Sequence, residues 1–101
     1  MFDMKNLARL KTLDKNAPEA MKAFGEFEKA AFAEGALSVQ QKQLISVAVA
    51  LTTQCSYCIE IHTKAARRAG ATEAQLAETA VVATIMNAGA TVTHSSHLFA
   101  E

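Results

Sequence analysis

Helix start and stop signals recur along the chain at short intervals, and they constrain the fold more than any other feature of the sequence. Apolar residues spaced three or four apart follow each start signal, as expected for amphipathic helices. Only one proline and four glycines interrupt 101 residues. Half of the residues are hydrophobic and a fifth are charged, which is typical of a compact helical domain. We therefore predict an all-α protein of about five to six helices, with residues 1–101 forming a single domain.

The first two helices are predicted from capping residues. An amphipathic segment runs from about Asp3 to Leu13. The next helix is expected to use Asn16 as its N-cap and to carry Pro18 in its first turn, where the missing N–H matters little. Gly35 is the expected C′ residue of this helix.

The third helix contains the most apolar stretch of the chain. Ser38 opens it, and the sequence "SVQQ" has the form of a capping box with Gln41 at N3. Residues 44–51, "LISVAVAL", are apolar nearly all round. We therefore expect this stretch to be buried on most sides.

The last part of the chain is predicted to hold two further helices and a short terminal one. A fourth helix runs from about residue 56 to residue 69 and stops at Gly70. Thr72 caps a fifth helix, again with glutamine at N3, which extends to about Asn87. Gly89 is expected to interrupt it, so that "ATVTHSSHLF" forms a separate short helix.

Charge and hydropathy exclude several classes of function. Ten basic and ten acidic residues give a net charge of zero, and Arg67 and Arg68 form the only notable basic pair, so nucleic-acid binding is not expected. The N-terminus carries charges from residue 3 and does not resemble a secretory signal. No uninterrupted apolar run approaches the roughly 18 residues of a membrane span. We expect a cytoplasmic protein that does not bind membranes.

Both cysteines of the chain lie in "CSYCIEIH", residues 55–62. On a helix, Cys55, Cys58 and His62 share one face, and Cα atoms three residues apart lie roughly 5–6 Å from each other, within reach of a disulfide. The helix N-terminus should lower the pKa of a cysteine placed there. His62, one turn beyond Cys58, can act as a base. The segment therefore has the parts of a redox-active dithiol site.

Two other interpretations of this segment stay open. The cysteines can be buried structural residues, or the three side chains can bind zinc with His94 or His97 as the fourth ligand. Ligands on consecutive turns of one helix converge poorly on a tetrahedral ion, which favours redox chemistry. His94 and His97 are otherwise expected at the surface or at an interface.

The region "QKQLISVAVALTTQCSYCIEIHTKAARRAGATEAQLAETAVVATIMNAG" resembles the carboxymuconolactone decarboxylase family, and within it the alkylhydroperoxidase AhpD-like branch. The resemblance covers roughly residues 20–99. It implies an all-helical fold whose protomers pair, often as trimers of dimers. It also implies an antioxidant, peroxiredoxin-like enzyme that reduces hydroperoxides with its cysteine pair and is itself reduced by a partner carrying a thiol or lipoyl group. No cofactor or metal is expected.

The resemblance also assigns roles to individual residues. Cys58 would be the peroxidatic cysteine, Cys55 the resolving cysteine, and His62 a member of the proton relay. Relatives of this branch carry a relay glutamate twelve residues before the first cysteine, where this chain has Gln43. Glutamine can hold a histidine tautomer but cannot accept a proton. Glu34 is a candidate substitute, whereas Glu60 is expected to face away from the cysteines.

A second hypothesis comes from a different class of protein. In it, the chain is a non-catalytic helical oligomer whose cysteine and histidine cluster binds metal or senses redox state. The large share of apolar residues in so short a chain supports oligomer formation under either hypothesis.

Overall fold

The computed structural model describes residues 1–99, which are helical throughout apart from short connections. A 3₁₀ helix, Met4–Leu10, leads into α1, and three longer helices and a final long one follow. Their bounds are Lys11–Asn16 for α1, Pro18–Phe32 for α2, Val39–Thr53 for α3, Ser56–Arg68 for α4 and Glu73–His94 for α5, with a second 3₁₀ helix at Ser95–Phe99. No strand occurs in the described chain. The predicted all-α class is confirmed.

The chain divides into two compact units, Met1–Val39 and the part from Gln40 onward. The first unit holds the N-terminal 3₁₀ helix, α1 and α2, and the second holds nearly all of α3 together with α4 and α5. All of the cysteines and histidines belong to the second unit. That residues 1–101 form a single domain remains a prediction.

Three boundaries in the first unit differ from the sequence prediction. Asp3 caps the first helical segment, with its side chain accepting from the Lys5 N–H at 2.9 Å, but that segment starts as a 3₁₀ helix. Asn16 is the last residue of α1, and its side chain donates to the Thr12 carbonyl, so Ala17 takes the N-cap position of α2. Pro18 lies in the first turn of α2 as predicted. This helix ends at Phe32, which places Gly35 beyond the C′ position.

The fourth and fifth helices begin near the predicted residues, but the fifth is longer. Thr72 and Gln75 form the expected capping box, with reciprocal hydrogen bonds of 3.1 and 2.8 Å. The prediction of a break at Gly89 is wrong, because α5 continues through it to His94. A single glycine costs a helix interior only about 1 kcal/mol relative to alanine, which a 22-residue helix tolerates. The predicted terminal helix is thus split between α5 and the last 3₁₀ helix.

Gln40 joins three parts of the second unit. Its side-chain amide donates to the Ala69 carbonyl at 3.0 Å, and its side-chain carbonyl accepts from Gln75 at 3.1 Å. Gln40 therefore holds α3 against the turn between α4 and α5. Because Gln43 lies one turn further along α3, this connection also sets the position of Gln43 relative to α4.

The expected burial of α3 on most sides is wrong for a single chain. Val47 and Ala50 are buried, at 5% and 2% exposure, whereas Ile45 and Val49 are half exposed. Within a single chain, other residues pack mainly against one side of α3. The core of the second unit is completed by the small residues Ala66 and Ala83, which permit close helix packing.

Helix α5 presents an apolar stripe that is largely exposed in the described chain. The stripe has the spacing of one helix face and comprises Val81, Val82, Ile85, Met86 and Val92, all more than half exposed. The stretch Glu73–Phe99 is long and apolar enough to cross a membrane by length and composition. Core helices of soluble proteins meet the same criterion, so it assigns no membrane to this chain. The expectation of oligomers stays a prediction that this stripe supports.

Two helices end with a similar backbone turn, in which a residue one or two positions beyond the helix adopts a left-handed conformation. After α3 this residue is Gln54, at φ 57°, and after α4 it is Gly70, at φ 92°. In each turn the following N–H returns to a helix carbonyl, from Cys55 to Ala50 at 3.0 Å and from Ala71 to Ala66 at 2.9 Å. Glycine adopts this conformation without strain, but glutamine does not.

These two turns predict opposite effects of glycine substitution. Gln54→Gly should raise the free energy of unfolding by about 0.5–1 kcal/mol, and Gly70→Ala should lower it by about 1–2 kcal/mol. Gly25→Ala is the matched control, because Gly25 lies inside α2 with open space around it and should gain stability from alanine. Urea unfolding at one protein concentration measures all three. A loss of stability in Gln54→Gly would contradict the assignment of strain to Gln54.

Candidate active site

Cys55 is placed by the turn that ends α3 and begins α4. Its backbone is extended, and it is the N-cap residue of α4. Its side-chain sulfur accepts a hydrogen bond from the Cys58 N–H at 3.2 Å, in the position that a serine or aspartate oxygen takes in most helix caps. The first sulfur of the pair is therefore held at the positive end of the α4 dipole.

Cys55 and Cys58 form a disulfide, with their Cα atoms 5.2 Å apart. This agrees with the distance that the helical spacing predicts. Both residues are half-buried, so the bond is neither sealed in the core nor fully open to solvent. The separation lies within the range of ordinary disulfides, so the start of α4 accommodates the closed form.

Gln43 and His62 are brought together although they lie 19 residues apart. His62 Nδ1 and Gln43 Oε1 are 2.8 Å apart, and Gln43 is buried at 9% exposure. Because an amide oxygen can only accept, His62 Nδ1 donates to Gln43 Oε1 in this pair. Gln43 thus fixes the orientation of the histidine ring.

A cleft of about 260 Å³ opens beside the disulfide. It is lined mainly by apolar groups of α3, with Cys58 and His62 at its α4 side; the lining comprises Ile45, Ser46, Val49, Ala50, Thr53, Cys58 and His62. Cys55 does not line this cleft. Of the two cysteines, Cys58 is therefore the one that lies beside the histidine in the cleft lining.

The two acidic residues considered as relay candidates have different surroundings. Glu60 forms an ion pair with Lys64 at 2.8 Å on the exposed side of α4, as expected for a residue facing away from the cysteines. Glu34 is exposed in the connection after α2 and belongs to the first compact unit. His62 is hydrogen-bonded to the amide of Gln43.

A four-ligand zinc site is not assembled within residues 1–99. In this part of the chain no three His, Cys, Asp or Glu side chains are grouped so that they could hold a metal ion. His94 and His97 lie next to each other at the far end of α5, with ring centroids 5.8 Å apart. Both are exposed, in line with the surface position expected for them.

Sequence reasoning missed two features of the site. The left-handed conformation of Gln54 gives no signal in the sequence, because glutamine rarely occupies such a position. The cleft lining from Ile45 and Val49 was assigned to the core, since both lie in the apolar run of α3. Their i,i+4 spacing was the available signal that they share one face.

A larger groove lies between α3 and α5 and contains neither cysteine nor histidine. Its volume is about 360 Å³, and Ile45 is the one residue that it shares with the cleft beside Cys58. The acidic side chain of Glu78 lies at its edge. Cys58 and His62 thus line the smaller of these two cavities.

Comparison with known proteins finds relatives that match most of this chain. The model of the carboxymuconolactone decarboxylase family matches residues 18–101. "Uncharacterized protein 4 in cox locus" of Paracoccus denitrificans is 51% identical over 78 residues, which is 77% of this chain and 70% of that protein. An uncharacterized protein of Cupriavidus necator is 39% identical over 83 residues, covering 82% of this chain and 74% of that protein.

Solved structures give the same result. A carboxymuconolactone decarboxylase family protein from Legionella pneumophila, crystallised in its apo form, superimposes with a TM-score of 0.78 at 32% identity, covering 91% of this chain and 82% of that one. A structural-genomics target from Methanobacterium thermoautotrophicum superimposes with a TM-score of 0.79 at 37% identity, covering 85% and 99%. The family match spans far more than half of the sequence, so this chain belongs to the carboxymuconolactone decarboxylase family.

Proposed function

We propose that the protein is a thiol-dependent hydroperoxide reductase of the alkylhydroperoxidase AhpD-like type. The observation that carries this proposal is the Cys55–Cys58 disulfide, of which Cys58 lines the same apolar cleft as His62. Reduction of an organic hydroperoxide by thiols uses a dithiol that closes reversibly, a base beside it and an apolar cavity for the substrate.

The proposed reaction starts from the dithiol form. His62 Nε2 accepts the proton of Cys58, and the thiolate attacks the terminal oxygen of the hydroperoxide. The O–O bond breaks, the alkoxide takes a proton and leaves as an alcohol, and Cys58 becomes a sulfenic acid. Cys55 then attacks the Cys58 sulfur, water leaves, and the disulfide forms. Two thiols and one hydroperoxide thus give one disulfide, one alcohol and one water.

Gln43 has a positioning role in this scheme. Its carbonyl accepts from His62 Nδ1, which leaves Nε2 as the nitrogen that exchanges the proton in the proposed reaction. The amide cannot take the proton onward. The histidine must therefore return each proton directly to the leaving alkoxide or exchange it with solvent through the open cleft.

The cycle is completed by a reductant that supplies two electrons and two protons. We propose a thiol or lipoyl-type partner protein, since a half-buried disulfide at a helix N-terminus is accessible to an attacking thiolate. The proposed setting is the cytoplasm, and the proposed active form is a homo-oligomer built from dimers, in which the exposed stripe of α5 is covered. Nucleic acid and membranes have no part in this proposal.

Sustained turnover is the test of this function. With dithiothreitol or dihydrolipoamide in excess, the protein should consume many equivalents of cumene hydroperoxide, and Cys58→Ser should consume none above background. Ser56→Ala is the matched control, because Ser56 lies between the cysteines, is exposed and has no part in the proposed reaction. We expect it to keep wild-type turnover.

A different result would favour the redox-sensing alternative, which the neutral Gln43 supports. In that case one equivalent of hydroperoxide would oxidise the protein, but no reductant would sustain turnover. Stoichiometric metal in protein purified in reduced form without added metal, and absent from a Cys55→Ser/Cys58→Ser double variant, would favour the metal-binding alternative and contradict the peroxidase proposal.

A further inference from the structure

The C-terminal end of α5 brings two imidazole rings together away from the disulfide. His94 is the last residue of α5, and His97 lies in the 3₁₀ helix Ser95–Phe99 that follows without a break. Side chains three residues apart share one face of an α-helix and lie almost directly above one another in a 3₁₀ helix, so both types of helix bring such a pair together. The ring centroids of His94 and His97 are 5.8 Å apart, and the ring planes are tilted by 32°.

This separation is close to that of two histidines bound to one metal ion. Zinc–nitrogen bonds of about 2.0–2.1 Å place the ring centroids of two tetrahedral ligands about 5 Å apart. Both side chains are exposed, so small rotations of the rings can close the difference without disturbing packing. Neither ring lines the cleft beside Cys58.

The electrostatic surroundings favour a cation at this position. No lysine or arginine occurs between Glu73 and Phe99. His94 lies in the last turn of a 22-residue helix, where the macrodipole places partial negative charge. A bound ion would therefore be attracted by the helix end and would meet no fixed positive charge on α5 or on the 3₁₀ helix.

We propose that His94 and His97 form a two-histidine site for a divalent transition-metal ion such as Zn²⁺ or Ni²⁺. Imidazole nitrogen suits these metals, whereas Mg²⁺ and Ca²⁺ prefer oxygen ligands. Within residues 1–99 no third His, Cys, Asp or Glu joins the pair, so water fills the remaining coordination positions. The site is independent of the redox function proposed above.

The test is titration of the oxidised protein with Zn²⁺ by isothermal calorimetry. The disulfide keeps both cysteines from acting as ligands. We expect one ion per chain in the wild type. Removing a residue that only hydrogen-bonds to a metal ligand lowers metal affinity by about 10–100-fold. Removing a ligand itself should cost at least as much, so His94→Ala and His97→Ala should each lower the affinity for Zn²⁺ by at least about tenfold.

Ser96→Ala is the matched control, since Ser96 lies between the two histidines and should keep wild-type affinity. Circular dichroism checks that each variant stays folded, and the ¹H–¹⁵N signals of both imidazoles should shift when the wild type binds Zn²⁺. Equal binding by wild type and the His94→Ala/His97→Ala double variant would overturn the proposal. One ion per two chains would overturn the assignment of the site to a single chain.

Discussion

Replacing Cys58 by serine should abolish hydroperoxide reduction, whereas Cys55→Ser should still react once and stop at a sulfenic acid on Cys58. The reason is the position of the two sulfurs. Cys58 lines the open cleft together with His62, and Cys55 does not. Cys55 accepts the N–H of Cys58 at the helix N-terminus, an arrangement that suits a resolving thiolate.

The helix dipole supplies the opposing argument. The same hydrogen bond should stabilise a thiolate on Cys55 and make it the more acidic of the two thiols. We give more weight to access to the cleft and to the histidine, because the peroxide must reach the attacking sulfur and its alkoxide must receive a proton. Dimedone labelling followed by peptide mass spectrometry identifies the oxidised residue. Labelling of Cys55 in the Cys58→Ser variant would reverse the assignment.

Gln43→Glu should raise peroxidase turnover. The structure places the side chain of Gln43 at 2.8 Å from His62 Nδ1, so a carboxylate there would be in position to accept the proton that the amide cannot take. General acid–base assistance contributes about 10²–10⁴-fold in enzymes, and we expect at least a severalfold gain in kcat. Because the position is buried, the introduced carboxyl should have a raised pKa, which suits a proton acceptor near neutral pH.

The control for this change is Gln41→Glu, which adds the same charge to the exposed face of α3. It should leave turnover unchanged, and it separates the relay from a general effect of charge. The pH profile of kcat adds a second readout, since a new acidic limb should appear only in Gln43→Glu. No gain in rate with the fold intact would show that proton transfer does not pass through position 43.

The helical fold was predictable because its signals are local. The capping box of Thr72 and Gln75 and the proline at the start of α2 act within one turn, and the structure has both. The predictions failed where a competing interaction decides the outcome. Asn16 is predicted to cap α2, but its side chain donates to the Thr12 carbonyl instead. Gly89 is predicted to interrupt α5, but the cost of a single glycine is too small to end a long helix.

The site was predictable in part for a similar reason. The spacing of Cys55, Cys58 and His62 alone predicts that they share one face of a helix. The contact between His62 and Gln43 joins two helices, and only the family resemblance pointed to it. The strained backbone of Gln54 and the cleft lining from α3 depend on how the helices pack, which periodicity alone does not determine.

The most direct test of the dithiol mechanism is a single-turnover titration of the reduced protein. One equivalent of cumene hydroperoxide should remove two thiols per chain, lower the intact mass by two hydrogens and yield one equivalent of alcohol, and dithiothreitol should restore both thiols. Hydroperoxide that stays unconsumed while both thiols remain titratable would contradict the account. So would equal consumption by a Cys55→Ser/Cys58→Ser double variant.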